Sequence, residues 1–280
     1  MSGPALGVNT YGYIWSTPAD ECVRRLADFG YRTFELMVHP IHLPLDEFDP
    51  ADRRRLAALL AEVGARDCSL NLPSLDQNLA SAFPRVRAAS VQMFRDVVDL
   101  ASDLGIEWLV TVPGRMSPLF PPPQEKRTAW MRESIEALLP HAERRGVRLA
   151  IENVPVAAFP DAASLGSFVR SFGTDRVGVC YDAANAHFIG ESPAAGIRQL
   201  ADVLRIFHLS DTGRTVWKHD PVGTGTVPFA ELPPALAEAG FAGPCIMEII
   251  GADDPEGAIL DSHAALARIG FAPLPARSAA

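Results

Sequence analysis

The chain has 280 residues, and its 25 lysines and arginines against 34 aspartates and glutamates give a formal net charge of −9. This acidic balance excludes a generally basic nucleic-acid binder, because a protein that coats phosphates needs a cationic face. Hydrophobic residues make up 48% and charged residues 21%, a composition that is typical of globular proteins and excludes a disordered chain.

The N-terminus lacks the basic start and apolar run of a secretory signal, and no stretch approaches the roughly 18 apolar residues of a membrane span. We therefore expect a soluble, cytoplasmic protein with no membrane or nucleic-acid partner. The four cysteines, Cys22, Cys68, Cys180 and Cys245, form no close pair. That spacing predicts reduced and mostly buried thiols, because zinc knuckles and disulfide frameworks need closer pairs.

Eight short runs of apolar and β-branched residues have the length and the polar or Gly/Pro boundaries of strands. In chain order they are Ala5–Asn9, Thr33–Met37, Asp67–Leu72, Trp108–Val112, Arg148–Glu152, Val177–Asp182, Arg205–Leu209 and Cys245–Ile249. Segments with helical apolar spacing lie between them: Pro18–Phe29, Asp52–Val63, Val86–Leu104, Glu125–Arg145, Ala162–Phe172, Ala195–Leu204, Phe229–Ala239 and Pro255–Ile269. Glycines such as Gly64 and Gly146 stand just past the predicted helices, as is typical of helix C-termini.

Eight strand–helix units in 280 residues leave about 35 residues for each unit and no room for a second domain. Eight such units with right-handed crossovers close into a (β/α)₈ barrel. The rival, an open doubly wound sheet, needs a glycine-rich phosphate loop after an early strand, and none follows Ala5–Asn9. We predict a single-domain α/β protein, with a TIM barrel over residues 1–272 and a flexible tail over 273–280.

Active sites of this fold lie at the carboxyl ends of the strands. At or within two residues of the predicted strand ends stand, in order, Asn9, Glu35, Asn71, Pro113, Glu152, Asp182, His208 and Glu248. A single acidic strand end is more often a helix cap or an ion-pair partner. Four ionisable ends in a row would repel or desolvate one another without a cation. The sequence therefore predicts one divalent metal ion on Glu152, Asp182, His208 and Glu248, with Mn²⁺ first and Mg²⁺, Co²⁺ or Zn²⁺ as alternatives.

Several motifs resemble the xylose isomerase-like TIM-barrel superfamily, especially its ketose 3-epimerase, hydroxypyruvate isomerase and inosose dehydratase branches. They are IEN at 151–153, YDAANAH at 181–187, FHLSD at 207–211, HDPVGTGTVPF at 219–229 and MEI at 247–249. The resemblance to ketose 3-epimerases implies the same four metal ligands, an acid/base pair of Glu152 and Glu248, and a substrate contact at Arg214. Two positions depart from it: Asn185 replaces a histidine, with His187 two residues on, and Ala158 replaces a substrate-binding glutamate.

Two carboxylates beside a cation suggest proton transfer next to a carbonyl, through an enediolate that the metal stabilises. We predict a metal-dependent isomerase or epimerase of a sugar or polyol, with Glu152 and Glu248 as the acid/base pair. Its substrate is expected to be an unphosphorylated or small hydroxy-carbonyl compound. The alternative is a lyase on the same site: an inosose or dehydroshikimate-type dehydratase, or an eliminase of oxidised glycosides. A third hypothesis is a non-catalytic sugar-binding barrel.

The candidate substrate contacts are His187, Arg214, His219 and Asn185, and His219 precedes two glycines that permit close backbone approach to a ligand. Glu35 is expected to hydrogen-bond within the barrel mouth rather than to bind metal. The aromatic residues at 11, 13 and 15 form either an apolar wall for a sugar or internal packing. The proline-rich loop Met116–Pro123 is expected to be a lid or a subunit contact, and homo-oligomerisation is left open.

Overall fold

The computed structural model describes residues 3–73 and 76–274. Its eight strands form a closed barrel in chain order, all parallel, with the last strand paired to the first. They are β1 (Leu6–Asn9), β2 (Phe34–Met37), β3 (Ser69–Leu72), β4 (Trp108–Thr111), β5 (Arg148–Glu152), β6 (Val177–Asp182), β7 (Leu204–Leu209) and β8 (Cys245–Met247). The predicted (β/α)₈ barrel is confirmed, and each predicted strand is present with its ends within two residues of the expected ones.

Helices cover the outside of the barrel. In the described part of the chain they are α1 (Ala19–Asp28), α2 (Pro50–Glu62), α3 (Pro84–Asp103), α4 (Gln124–Arg144), α5 (Ala162–Arg170), α6 (Ala183–Phe188), α7 (Pro193–Gln199), α8 (Leu232–Glu238) and α9 (Pro255–Ala267). Short 3₁₀ turns lie at Tyr11–Tyr13 and Phe229–Glu231. The sequence missed α6, and it wrongly extended α7 to Leu204, which begins β7.

Local signals explain where the helices begin and end. The Asp49 carboxylate accepts hydrogen bonds from the backbone of Ala51 and Asp52, and Pro50 occupies the first turn, so α2 starts there. Gly64 follows α2 with a φ of +67°, a conformation that favours glycine and stops the helix.

The inside of the barrel is packed by an apolar layer from strands β4 to β8. Val110, Ala150, Cys180, Ile206 and Ile246 form this cluster and are fully buried. Gly7 on β1 lets the strands approach, because a Cβ there would lie 2.6 Å from Ile246 Cδ1 and 2.8 Å from the Thr33 carbonyl oxygen. This layer closes the barrel beneath the carboxyl ends of the strands and supports them.

All four cysteines are free; Cys68 is partly buried and the other three are buried, as predicted. Among the described residues, no helix combines the length and the apolar run that crossing a bilayer requires. Within the predicted flexible tail, Leu274 packs partly buried against the core, and residues 275–280 lie outside the described residues.

Candidate metal centre

The carboxyl ends of β5 to β8 bring four ionisable side chains together. Glu152, Asp182 and His208 lie on β5, β6 and β7, and Glu248 directly follows β8. One ligand atom from each lies within 4.8 Å of the others, and all four residues are buried. His208 Nδ1 is 3.4 Å from a carboxylate oxygen of Glu152 and 3.4 Å from one of Glu248. The structure thus groups the four residues that the strand ends indicated.

Two atoms of this cluster are buried without a hydrogen-bond partner among the described residues. They are Asp182 Oδ2 and His208 Nδ1. The other Asp182 oxygen accepts a 2.5 Å hydrogen bond from the Asn185 backbone, and the other ring nitrogen of His208 faces Glu35. Leaving a buried carboxylate oxygen and an imidazole nitrogen unpaired is costly. A divalent cation would satisfy both, so the residues present fit a metal ion with mixed oxygen and nitrogen ligands.

Glu35 orients His208 from the side opposite the cluster. Its carboxylate lies 3.1 Å from His208 Nε2 and accepts hydrogen bonds from Asn9 (2.7 Å), Ser69 (2.7 Å) and Asn71 (2.9 Å). Glu35 is fully buried, and its expected hydrogen bonding in the barrel mouth is confirmed. A carboxylate at Nε2 keeps the proton on that nitrogen and leaves the Nδ1 lone pair for a metal.

Burial and mutual charge shift the acid–base equilibria of the cluster in opposite directions. Burial raises the pKa of Glu152 and that of Asp182 above their ordinary values. Burial acts in the same sense on Glu248, but the imidazoles of His208 and His219 outweigh it and lower its pKa. Burial lowers the pKa of His219, yet Asp182 and Glu248 outweigh that effect and raise it to about 9. Without a cation the centre therefore retains protons, which a bound metal would displace.

A cavity of about 460 Å³ opens above this centre. Residues that line it include Tyr11, Asn71, Val112, Arg115, Glu152, Val154, Asn185, Trp217, Lys218, His219 and Glu248. Val112, Val154 and the partly buried Trp217 pack into one apolar cluster, which gives the cavity an apolar wall. Glu152 and Glu248 therefore reach the same cavity from two strand ends, beside an apolar wall.

The chain matches the xylose isomerase-like TIM barrel family over residues 23–269. It belongs to this family. The xylose isomerase of Thermus caldophilus is 26% identical over 247 residues, which cover 76% of this chain and 62% of the relative. The L-ribulose-5-phosphate 3-epimerase UlaE of Salmonella paratyphi B is 24% identical over 248 residues and 85% of each chain.

Among solved structures, the D-psicose 3-epimerase of Clostridium cellulolyticum H10 superposes with a TM-score of 0.80 at 19% identity. The superposition covers 96% of this chain and 99% of that one, and it shows a shared fold. The chain spans about three fifths of the length of two curated relatives, the xylose isomerase and an uncharacterised protein of Methanocaldococcus jannaschii.

The four candidate substrate contacts lie at different places relative to the cavity. His219 and Asn185 line the cavity, whereas His187 and Arg214 are not among its lining residues. His187 is buried and its Nε2 pairs with Thr226 Oγ1 at 2.8 Å, while Arg214 is exposed in the loop after β7. Their roles in substrate binding stay predictions.

Asn185 uses its amide within the protein. Its Oδ1 accepts a 2.7 Å hydrogen bond from the Trp217 indole, and its Nδ2 donates to the Asn153 carbonyl at 2.8 Å. The Asn153 side chain in turn bonds both backbone groups of Asp182. Asn185 thus ties the apolar wall of the cavity to the backbone of a candidate metal ligand.

The cavity residues that sequence reasoning missed include Arg115, Trp217 and Lys218. All three lie in loops after strands, where hydrophobic periodicity does not indicate which residues face a cavity. For Arg115, the one signal in the sequence is its place two residues after Pro113, next to the predicted end of the fourth strand. The aromatic residues after β1 divide: the first, Tyr11, lines the cavity, the second is buried, and Trp15 is 71% exposed. In the proline-rich loop Leu119 and Phe120 are almost fully exposed, and its role as a lid or subunit contact stays a prediction.

Proposed function

We propose that this chain is a divalent-metal-dependent isomerase or epimerase of a small sugar or polyol. The observation that carries the proposal is that Glu152 and Glu248, from two different strands, share one buried cluster and line one cavity. The names of its relatives, a xylose isomerase and an L-ribulose-5-phosphate 3-epimerase, support the same class of reaction.

Glu152, Asp182, His208 and Glu248 would hold the cation, with Mn²⁺ as the first choice and Mg²⁺, Co²⁺ or Zn²⁺ as alternatives. When bound, the cation polarises a carbonyl oxygen and offsets the negative charge that develops as the neighbouring carbon loses its proton. Glu35 fixes the orientation of the His208 ring in advance, so no reorganisation is needed when substrate enters.

Proton transfer falls to the two glutamates. One carboxylate removes the proton from the carbon next to the carbonyl, and the other returns a proton to the opposite face, which inverts that centre. Return of the proton to the adjacent carbonyl carbon gives aldose–ketose isomerisation instead. Both outcomes pass through the same enediolate, so the residues determine the class of reaction more closely than the product.

The test is a panel of ketoses, aldoses, inososes and keto-glycosides incubated with Mn²⁺-loaded protein in D₂O and followed by NMR. We expect deuterium at the carbon beside the carbonyl of at least one substrate, together with an inverted or isomerised product. Elemental analysis of the purified protein should find one divalent ion per chain. Metal-loaded protein that exchanges no substrate in the panel would contradict the proposal.

A lyase on the same site is the second candidate. Ala158 is fully buried in the core, and Asn185 is bonded to Trp217 and Asn153. Neither position therefore supplies the ionisable side chain of the ketose 3-epimerase pattern. Expulsion of a β-hydroxyl from the same enediolate would then replace reprotonation. Loss of water by mass spectrometry, with an enone absorbance, separates this reaction from epimerisation, which conserves mass.

A further inference from the structure

Among the described residues, one arginine at the cavity has no partner for its charge. Of the lysine and arginine side chains that line it, Lys218 is paired, with its Nζ 3.2 Å from an Asp220 oxygen. Arg115 is the other, and among the described residues it takes part in one side-chain hydrogen bond, which Asn78 donates to its backbone carbonyl. Within residues 3–73 and 76–274, none of the five guanidinium donors of Arg115 has a protein acceptor.

Two hydrogen bonds hold the peptide group that joins Arg115 to Met116. The Asn78 amide, from the segment after β3, donates to the Arg115 carbonyl at 2.7 Å. Gly114 has a φ of +88°, and a Cβ there would lie 2.2 Å from Asn78 Oδ1, so glycine is required for this contact. The Met116 amide of the same peptide group donates to the Val156 carbonyl at 2.9 Å. The start of the Arg115 side chain is therefore fixed relative to the cavity.

Arg115 and the candidate metal centre lie at different depths of the cavity. Glu152 and Glu248 are buried at the base of the cavity, whereas Arg115 is exposed at its rim. The hydroxyls of a neutral sugar are matched by polar groups such as Asn71 and Tyr11, which also line the cavity. A guanidinium matches a planar carboxylate or a phosphate far better, since it binds two oxygens at once.

We infer that the substrate carries an anionic group, a phosphate or a carboxylate, at the end remote from the metal centre, and that Arg115 binds it. The inference rests on the proposed function and replaces the expectation of an unphosphorylated substrate. Arg115 is then a specificity-determining residue: it selects among hydroxy-carbonyl compounds and takes no part in proton transfer.

The experiment compares matched pairs of substrates with Mn²⁺-loaded protein. The pairs are ribulose and ribulose 5-phosphate, fructose and fructose 6-phosphate, and fructose and fructuronate, with kcat/KM measured from deuterium incorporation. The variants are Arg115→Gln, Arg115→Lys, and Arg85→Gln as a control, because Arg85 is exposed on α3 and absent from the cavity lining. The pair that shows an Arg115-dependent preference identifies phosphate or carboxylate as the anion.

We expect the anionic member of one pair to be preferred at least about tenfold, the usual effect of one charge-assisted hydrogen bond. Arg115→Gln should lower its kcat/KM by about tenfold to a hundredfold and change the neutral substrate by less than about twofold. Arg115→Lys should retain part of the preference, and Arg85→Gln all of it. Preference of the native protein for neutral substrates, or equal losses for both members in Arg115→Gln, would overturn the inference and leave the isomerase proposal standing.

Calorimetric binding of the same pairs gives a readout that does not need turnover. The phosphate or carboxylate compound should bind native protein at least about tenfold more tightly than its neutral partner, and Arg115→Gln should abolish the difference. If no compound is turned over, the proposed function fails, while this binding difference still decides the inference. Equal binding of both members to native protein would overturn it.

Discussion

Two layers of side chains inside the barrel lie two residues apart along the same strands, and one is apolar whereas the other is ionisable. The lower one is apolar and fully buried and includes Ala150, Cys180, Ile206 and Ile246. Two residues further along each of β5 to β8, side chains on the same side are Glu152, Asp182, His208 and Glu248. One period of strand alternation thus separates the packed apolar layer from the proposed metal ligands. Substitutions in the two layers should therefore have separable effects on stability and on turnover.

The largest effect is expected in the upper layer. Glu152→Gln removes the proposed proton-transfer group and metal ligand while keeping the shape of the side chain, so we expect turnover to fall about a thousandfold or more. Thermal stability of the metal-free protein should be unchanged or higher, because a buried carboxyl no longer has to be desolvated. Deuterium exchange and thermal unfolding measure the two quantities.

The matched control is Glu62→Gln, an exposed glutamate at the end of α2, which should leave both quantities unchanged. Exchange by Glu152→Gln within about threefold of the native rate would remove Glu152 from the acid/base pair. A sugar-binding barrel without catalysis would show no exchange in either protein, and its affinity alone would change.

The next effect belongs to the lower layer. Ile206 is fully buried two residues before His208, so Ile206→Ala leaves a cavity and should lower the free energy of unfolding by about 2–5 kcal/mol. Turnover per folded molecule should stay within a few-fold of the native value. Urea unfolding measures the loss, with Val216→Ala as the control because Val216 is 58% exposed. A loss of turnover as large as that of Glu152→Gln would show that the two layers are not separable.

With the metal chelated, the upper layer should make stability depend on pH. The raised pKa of His219, about 9 against an ordinary 6.5, means that folded protein binds more protons than unfolded protein in this interval. The contribution of His219 to the free energy of unfolding is about 3 kcal/mol in all. It is fully present below pH 6.5 and is lost as the pH rises to 9. The raised pKa values of Glu152 and Asp182 act with the same sign at lower pH.

Unfolding by urea across this interval, with chelator or with Mn²⁺, measures the slope. Added metal should flatten it, because a cation displaces the bound protons. Ile206→Ala should keep the slope of the native protein, since the lower layer holds no group that titrates in this range. A stability that rises with pH in the chelated protein would contradict the charge arrangement of the centre.

The strand-end rule explains how much of this arrangement the sequence predicted. An apolar run followed by an ionisable residue indicates the carboxyl end of a strand, which is where active sites of this fold lie. Glu152, Asp182, His208 and Glu248 could therefore be predicted from the sequence alone. The same rule is silent about loops, and Arg115 and Trp217 were therefore missed. The helix α6 was missed because Asp182 both ends β6 and caps α6, which leaves no polar segment between the two elements.

The smallest effect should come from Glu35, which contacts the proposed ligand His208 and is not itself a proposed ligand. Glu35→Gln keeps a hydrogen-bond acceptor near His208 but removes the charge, so we expect metal affinity to fall about tenfold to a hundredfold in a chelator competition. At saturating Mn²⁺ its turnover should recover, whereas that of Glu152→Gln should not. Glu47→Gln, an exposed glutamate after β2, should change neither quantity. Failure of excess metal to rescue Glu35→Gln would place Glu35 in the chemistry itself, because a residue that acts only by orienting a ligand loses its importance once the metal is bound.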